Sequence, residues 1–279
     1  MIVPMLPHLT KNPDHIKTVG AFLKNAQNSA RSDDISRLRD HIIKYIYEAE
    51  GIQMPDSGLE KSRRGWNCEA TAWMLCPRDL RDEFDADPTS FCRDVRNGQR
   101  FVDHDDWPTL VYSATEYDTS KIEYGLLKSP FLVNCWKTIF QGPNSVRATS
   151  SKKGGRSTLA QAYEIKQVDE YSIIYTTILA RFLLSSGTWD ANDGPFMGVE
   201  FFKNLLYLFE DSVEWRKDTL AWWNARVFGC QAPGMQSSRV NPTRTGLSSV
   251  AKLKQQREAQ RNQMRIQPPQ RRASIAADN

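Results

Sequence analysis

Long apolar runs, paired cysteines and nucleotide-binding glycine patterns are absent from this chain, and histidine is scarce; each shortage removes a class of protein. The most apolar stretch, Ser172 to Ser186 (SIIYTTILARFLLSS), contains Arg181 and falls short of the roughly 20 residues a membrane span needs. It reads as a buried helix, and no membrane association is expected. The five cysteines, Cys68, Cys76, Cys92, Cys135 and Cys230, are odd in number and irregularly spaced, which fits neither a disulfide framework nor a CxxC zinc site. A reducing compartment follows, so the expected location is intracellular, nuclear or cytoplasmic. The opening residues MIVPMLPHLTK, broken by Pro4 and Pro7, lack the basic start and apolar run of a secretory signal.

Common catalytic signatures are missing too: GxGxxG, GxxxxGK followed by Ser or Thr, GxSxG and HExxH do not occur. No cofactor and no metal are expected on this reading. The nearest approach to a phosphate loop, KKGGRST at Lys152 to Thr158, has the residue types without the order, and reads as a surface loop.

What is present is an ordinary globular composition, 279 residues with 40% hydrophobic and 25% charged, enough for a sizeable core. The net charge of +4 conceals an asymmetry. From Cys230 onward nine Lys and Arg face two acids, Glu258 and Asp278, giving +7, so the first 229 residues sum to −3. The basic character belongs to the tail.

Periodicity predicts a mainly α, single multi-helix domain. After the N-cap candidates Ser32 and Asp33, Ile35, Leu38, Ile42, Ile46 and Ala49 form one apolar stripe ending at Gly51. Residues 1–31 are expected to be a weakly ordered arm. Asp87-Pro88 starts a short helix that stops at Gly98, PRDLRDEF is a second, and WPTLVY (Trp107 to Tyr112) marks an irregular, aromatic-rich layer. Ser129-Pro130 opens a strong helix carrying Phe131, Leu132, Cys135, Trp136, Ile139 and Phe140 and stopped by Gly142-Pro143. A flexible loop is expected over about 143–167, then a helix over about Val168 to Ser186, a turn at WDANDGPF, and a helix bearing Phe201, Phe202, Leu205, Leu206 and Phe209. The domain runs over 32–229, and 230–279 is read as a basic, largely disordered tail.

The last helix of the domain ends in LAWWNARVFG (Leu220 to Gly229). Trp215, Leu220, Trp223 and Val227 share one face, while Trp222 points about 100° away from Trp223. One tryptophan is therefore inward and the other covers a flank, with Asn224 and Arg226 supplying polar contacts. Trp66, Trp107, Trp136, Trp222, Trp223 and Asn224 are read as structural anchors rather than a base-stacking platform.

Two features carry functional expectations. DHDD, Asp103 to Asp106, is the single His-carboxylate cluster; it reads as turn chemistry before Trp107-Pro108, because four consecutive residues cannot all face one ion. The alternative is a metal-dependent enzyme acting on phosphodiesters through Asp103, Asp105, Asp106, Asp190 and Asp193, and it requires at least three of these to converge on one cleft. The tail is the stronger lead. Lys252, Lys254, Arg257, Arg261, Arg265, Arg271 and Arg272 are the candidate nucleic-acid-binding residues, on a segment (248–264) with too few apolar positions to be a stable helix alone. RRASI places Ser274 as a candidate for phosphorylation, which would add about −1.5 to −2 charges and so lower that positive potential.

The blocks RRGW, LCP, DDWPTLVY, GLLKSPFLVNCWKTIFQGPNSV, RFLLSSGTW and LAWWNARVFG, in that order, resemble a family of uncharacterised proteins of basidiomycete fungi with a domain of unknown function. The resemblance covers roughly Arg63 to Gly229 and implies one domain with WWN as a recurring structural signature; it transfers no site residue. The expected function is a non-enzymatic intracellular interaction module, its partners a protein or nucleic acid met through the tail, with oligomeric state and host-gene or mobile-element origin left open.

Overall fold

A helix of 38 residues, α1 (Pro13–Glu50), opens the fold. The computed structural model describes residues 13–51, 59–113, 117–118, 120–147, 157–190, 192–229 and 249–266. Within α1, Leu38, Ile42 and Ile46 are fully buried, as their spacing predicts, and Ile43 and Tyr45 join them. The helix starts at Pro13, ahead of the N-cap candidates Ser32 and Asp33. Proline is tolerated in a first helical turn, and AFLKNAQNSAR is rich in Ala, Leu, Lys and Gln, which favour helix without help from a core. Periodicity could not find this half because it buries almost nothing: Ile16, Phe22 and Leu23 are all exposed.

Against the buried half of α1 lies α5 (Pro130–Gln141), capped by Ser129, whose hydroxyl accepts from the Leu132 amide, and ended at Gly142. Phe131, Leu132, Val133, Cys135, Trp136 and Ile139 are all in the core. The Tyr45 and Thr138 hydroxyls hydrogen-bond at 2.6 Å between the two helices. A third helix, α7 (Glu170–Leu184), packs on both; its capping box is formed by Asp169 and Ser172, and its Tyr175 hydroxyl donates to Asp34 on α1 at 2.8 Å. Around this layer stand α8 (Gly198–Asp211) and α9 (Val213–Phe228), with a two-residue hairpin, β1 (Asn192–Asp193) and β2 (Phe196–Met197), turning between α7 and α8.

The first half of the chain supplies the irregular layer expected there. Short helices α2 (Glu69–Leu75), α3 (Arg81–Ala86) and α4 (Pro88–Arg96) enclose a small satellite core of Ala72, Cys76, Phe84, Phe91 and Cys92. Asp87 caps α4 by accepting from the Ser90 amide at 2.9 Å. The LCP and DDWP blocks meet here: Pro77 and Pro108 form an isolated antiparallel bridge, and the Thr109 amide and hydroxyl both donate to the Cys76 carbonyl. Within the expected loop 143–167, a one-turn helix, α6 (Leu159–Ala162), is held by a capping box of Thr158 and Gln161. Residues 148–156, most of KKGGRST, lie outside the described residues. Cys68, Cys76, Cys92 and Cys135 are free.

Of the tail, one segment lies among the described residues. Residues 249–266 form α10, and Val250 and Leu253 are part of the main core. This segment is helical and docked, because the domain supplies the apolar and acidic contacts that the isolated sequence lacks.

Candidate functional site

LAWWN resolves as packing. Trp223 is fully buried, and its Nε1 donates to the Leu127 carbonyl at 2.7 Å. Leu127 itself has φ of 57°, an unusual conformation for leucine that presents that carbonyl. Trp222 lies on the flank with the Arg226 guanidinium 3.7 Å above its ring. The Asn224 side chain accepts from the Val168 amide at 2.9 Å and donates to the Leu220 carbonyl at 2.8 Å, so it ties α9 to the start of α7. Gly229 closes α9 with φ of 73°. Trp107 and Trp136 are fully buried, whereas Trp66 is half-buried against Phe91.

RRGW and RFLLSSG meet at the C-terminal end of α7. The Lys61 ammonium donates to the carbonyls of Phe182 and Ser185 at 2.7 Å each. The buried Arg64 donates to Leu183 at 2.8 Å and to Leu59 at 2.9 Å. The last carbonyls of a helix have no partner within it, and the dipole favours cations there. Burial, and then Arg64, push Lys61 down to about 8. Gly65 (φ 66°) permits the approach, since a Cβ there would sit 3.1 Å from the Ser186 amide nitrogen.

Beside this junction a cavity of about 240 Å³ opens between Trp66, the 100–108 segment, the end of α7 and the hairpin. Arg100, Asp103, Asp106, Arg181 and Asp193 bring charge to its lining. Three of the five aspartates of the enzyme alternative therefore share one cleft. Burial, and then the neighbouring Asp103, raise Asp106 to about 6. Burial pushes Arg181 down to about 10 against the pull of Asp193. Arg181 stacks on Phe196 at 3.1 Å and pairs with Asp193 at 3.5 Å.

The other two aspartates lie elsewhere. Asp105 accepts from the Asn204 side chain at 2.9 Å, and Asp190 is exposed outside the lining. Asp103 accepts from the Asp105 amide at 2.8 Å and Asp106 from the Asp103 amide at 3.5 Å, which is Asx-type turn chemistry. Among the described residues no group of three or more His, Cys, Asp or Glu could hold a metal ion.

The basic candidates divide by position. Lys252 pairs with Asp79 at 2.5 Å, and Ser249 donates to the same carboxylate. Arg257 is buried; its Nε donates to Glu123 at 3.0 Å, and its Nη1 to Asp211 at 3.1 Å and to the Leu208 carbonyl at 3.3 Å. Arg261 reaches Asp211 at 2.5 Å. Burial tends to raise Asp211, but hydrogen bonds from Arg261, Tyr207 and Arg257 outweigh it and hold the carboxyl below its ordinary value. Lys254 is exposed, with its ammonium 5.3 Å from the Tyr207 ring centre. Nothing of the Arg265 side chain is described, and Arg271, Arg272 and Ser274 lie outside the described residues.

Sequence reasoning missed the acceptors, Asp79, Glu123 and Asp211, each more than 40 residues from its cation. The available signal was the pairing of an acidic body with a basic tail. Among the described residues no helix is long and apolar enough to cross a membrane. No curated protein and no solved structure matches the chain. Residues 25–228, which carry the body of the fold and its acidic side but not α10, match the profile of a family of unknown function, DUF6698, and the chain belongs to that family.

Proposed function

We propose that this protein is a non-enzymatic, intracellular interaction module, nuclear or cytoplasmic, from a basidiomycete fungus, that engages an acidic partner through its basic C-terminal segment. One observation carries the reading: the segment already recognises carboxylates, since Lys252, Arg257 and Arg261 each pair with an acid of the protein's own body. The exposed Lys254, together with Arg265, Arg271 and Arg272 of the sequence, is assigned to another molecule, and phosphorylation of Ser274 would weaken that attraction. Nucleic acid is the polyanion to test first. Fluorescence anisotropy of the full chain against single- and double-stranded DNA and RNA is expected to show binding that falls steeply with salt. The quadruple variant K254A/R265A/R271A/R272A is expected to lose it. No binding by the native chain at low salt would contradict a nucleic-acid partner.

A second reading rests on the cleft. Asp103, Asp106 and Asp193 share it, and a carboxyl raised to about 6 is poised for proton transfer near neutrality. Phosphodiester hydrolysis with added divalent metal, lost in D106N, would favour this reading over the first.

A further inference from the structure

The contacts that seat α10 make up a recognition surface on the body, separate from whatever the tail's remaining cations meet. Val250 and Leu253 enter the core three residues apart, and Arg257 follows four residues later on the same helix face. This is the anchor spacing of a helix lying in a groove. Gln256 reads backbone as a strand would: its Nε2 donates to the Ser120 carbonyl at 3.0 Å and its Oε1 accepts from the Ile122 amide at 2.9 Å. Arg257 is the central anchor. It is 5% exposed, it sits 5.5 Å from the Trp215 ring centre, and its guanidinium is gripped by Glu123 and Asp211. Among the described residues its Nη2 meets no hydrogen-bond partner.

The groove is thus selective by charge and by shape. Three carboxylates, Asp79, Glu123 and Asp211, are aligned along one occupant helix. They lie within the residues that define the family, whereas the occupant lies outside them.

We propose that this groove is a receptor for basic amphipathic helices with the pattern Val-x-x-Leu-x-x-Gln-Arg-x-x-x-Arg. In this proposal α10 is its tethered occupant, and a partner protein's helix of the same chemistry replaces it. Covalent attachment gives α10 an effective concentration on the order of mM, so the intact chain admits only helices that bind better than α10 or arrive when α10 is weakened.

The test uses the full chain with a protease site placed within residues 230–248, cleaved after folding. Fluorescent peptide 249–266 is added in excess, and a second peptide carries only the pattern residues on an Ala and Lys background. Both are expected to enter the cleaved protein at 1:1 stoichiometry, within tenfold of each other in affinity. Entry into uncut protein is expected to be at least tenfold weaker. The Arg257→Ala peptide is expected to bind more than thirtyfold more weakly, and the Arg257→Lys peptide to fall between, because lysine cannot reach Glu123 and Asp211 in the same fork. The proposal is overturned if neither peptide enters cleaved protein whose circular dichroism shows the body still folded. It is equally overturned if the pattern peptide fails while 249–266 binds, or if Arg257→Ala has no effect.

Discussion

Helices α9 and α10 both close over the same body, but different physics holds them. α9 is seated mainly by area: Trp215, Trp223 and Val227 are buried, and the Trp223 and Trp215 indoles fix its rotation by donating to the Leu127 and Glu123 carbonyls. Among its described side chains α10 buries the apolar Val250 and Leu253, and it depends on Lys252, Arg257 and Arg261 meeting Asp79, Glu123 and Asp211. Apolar burial is insensitive to the identity of the partner atoms and leaves a periodic trace in one stretch of sequence. Ion pairing depends on matched groups that the sequence keeps far apart. The first arrangement suits a scaffold and the second suits a contact that is made and released.

Breaking the α9 side should have the largest effect. Trp223→Ala removes the indole and leaves the Leu127 carbonyl unpaired, and it should cost about 3–5 kcal/mol, read as a lower midpoint in chemical denaturation of the whole domain. Arg257→Ala should cost about 3 kcal/mol, since removing one member of a buried pair strands the other. The loss should appear locally, as proteolytic sensitivity of 249–266, with the domain's main transition little changed. A single cooperative loss of both helices in Arg257→Ala would erase the contrast between them.

Two smaller effects sharpen the comparison by staying within the body. Asp106 is held at about 6, above its ordinary value, so the native state binds its proton more tightly than the unfolded chain. The ionised carboxyl therefore destabilises the fold as pH rises from about 4 through 6. Asp106→Asn should stabilise the domain by about 2 kcal/mol at pH 7 and by almost nothing at pH 4, measured by urea denaturation at both values. Gly65→Ala should cost about 1–2 kcal/mol, because a left-handed residue acquires a Cβ where the Ser186 amide is 3.1 Å away. It should lower thermal stability and leave α10 docked, as judged by unchanged proteolysis of 249–266.

How much was legible follows the same division. The stripe Leu38, Ile42, Ile46 and the face of α5 were readable because helical periodicity is local and burial at those positions is complete. The end of α9, including the split roles of Trp222 and Trp223, followed from helical geometry alone. The first half of α1 was not readable, since exposed Phe22 and Leu23 show no stripe to detect. The cap that Lys61 and Arg64 place on α7 joins residues more than 110 positions apart, and nothing in RRGW announces it. DHDD was read correctly as turn chemistry in its backbone contacts, yet the turn also delivers Asp103 and Asp106 to a cleft shared with Asp193. That convergence belongs to the fold.

The most direct test of the division between the two helices is amide hydrogen exchange of α9 and α10 in the native chain and in E123Q/D211N. These substitutions remove the charge that Arg257 and Arg261 meet while preserving side-chain volume. The account predicts that α10 amides lose most of their protection and that α9 amides, including those around Trp223, keep theirs. Retained protection in α10, or equal loss in both helices, would contradict it.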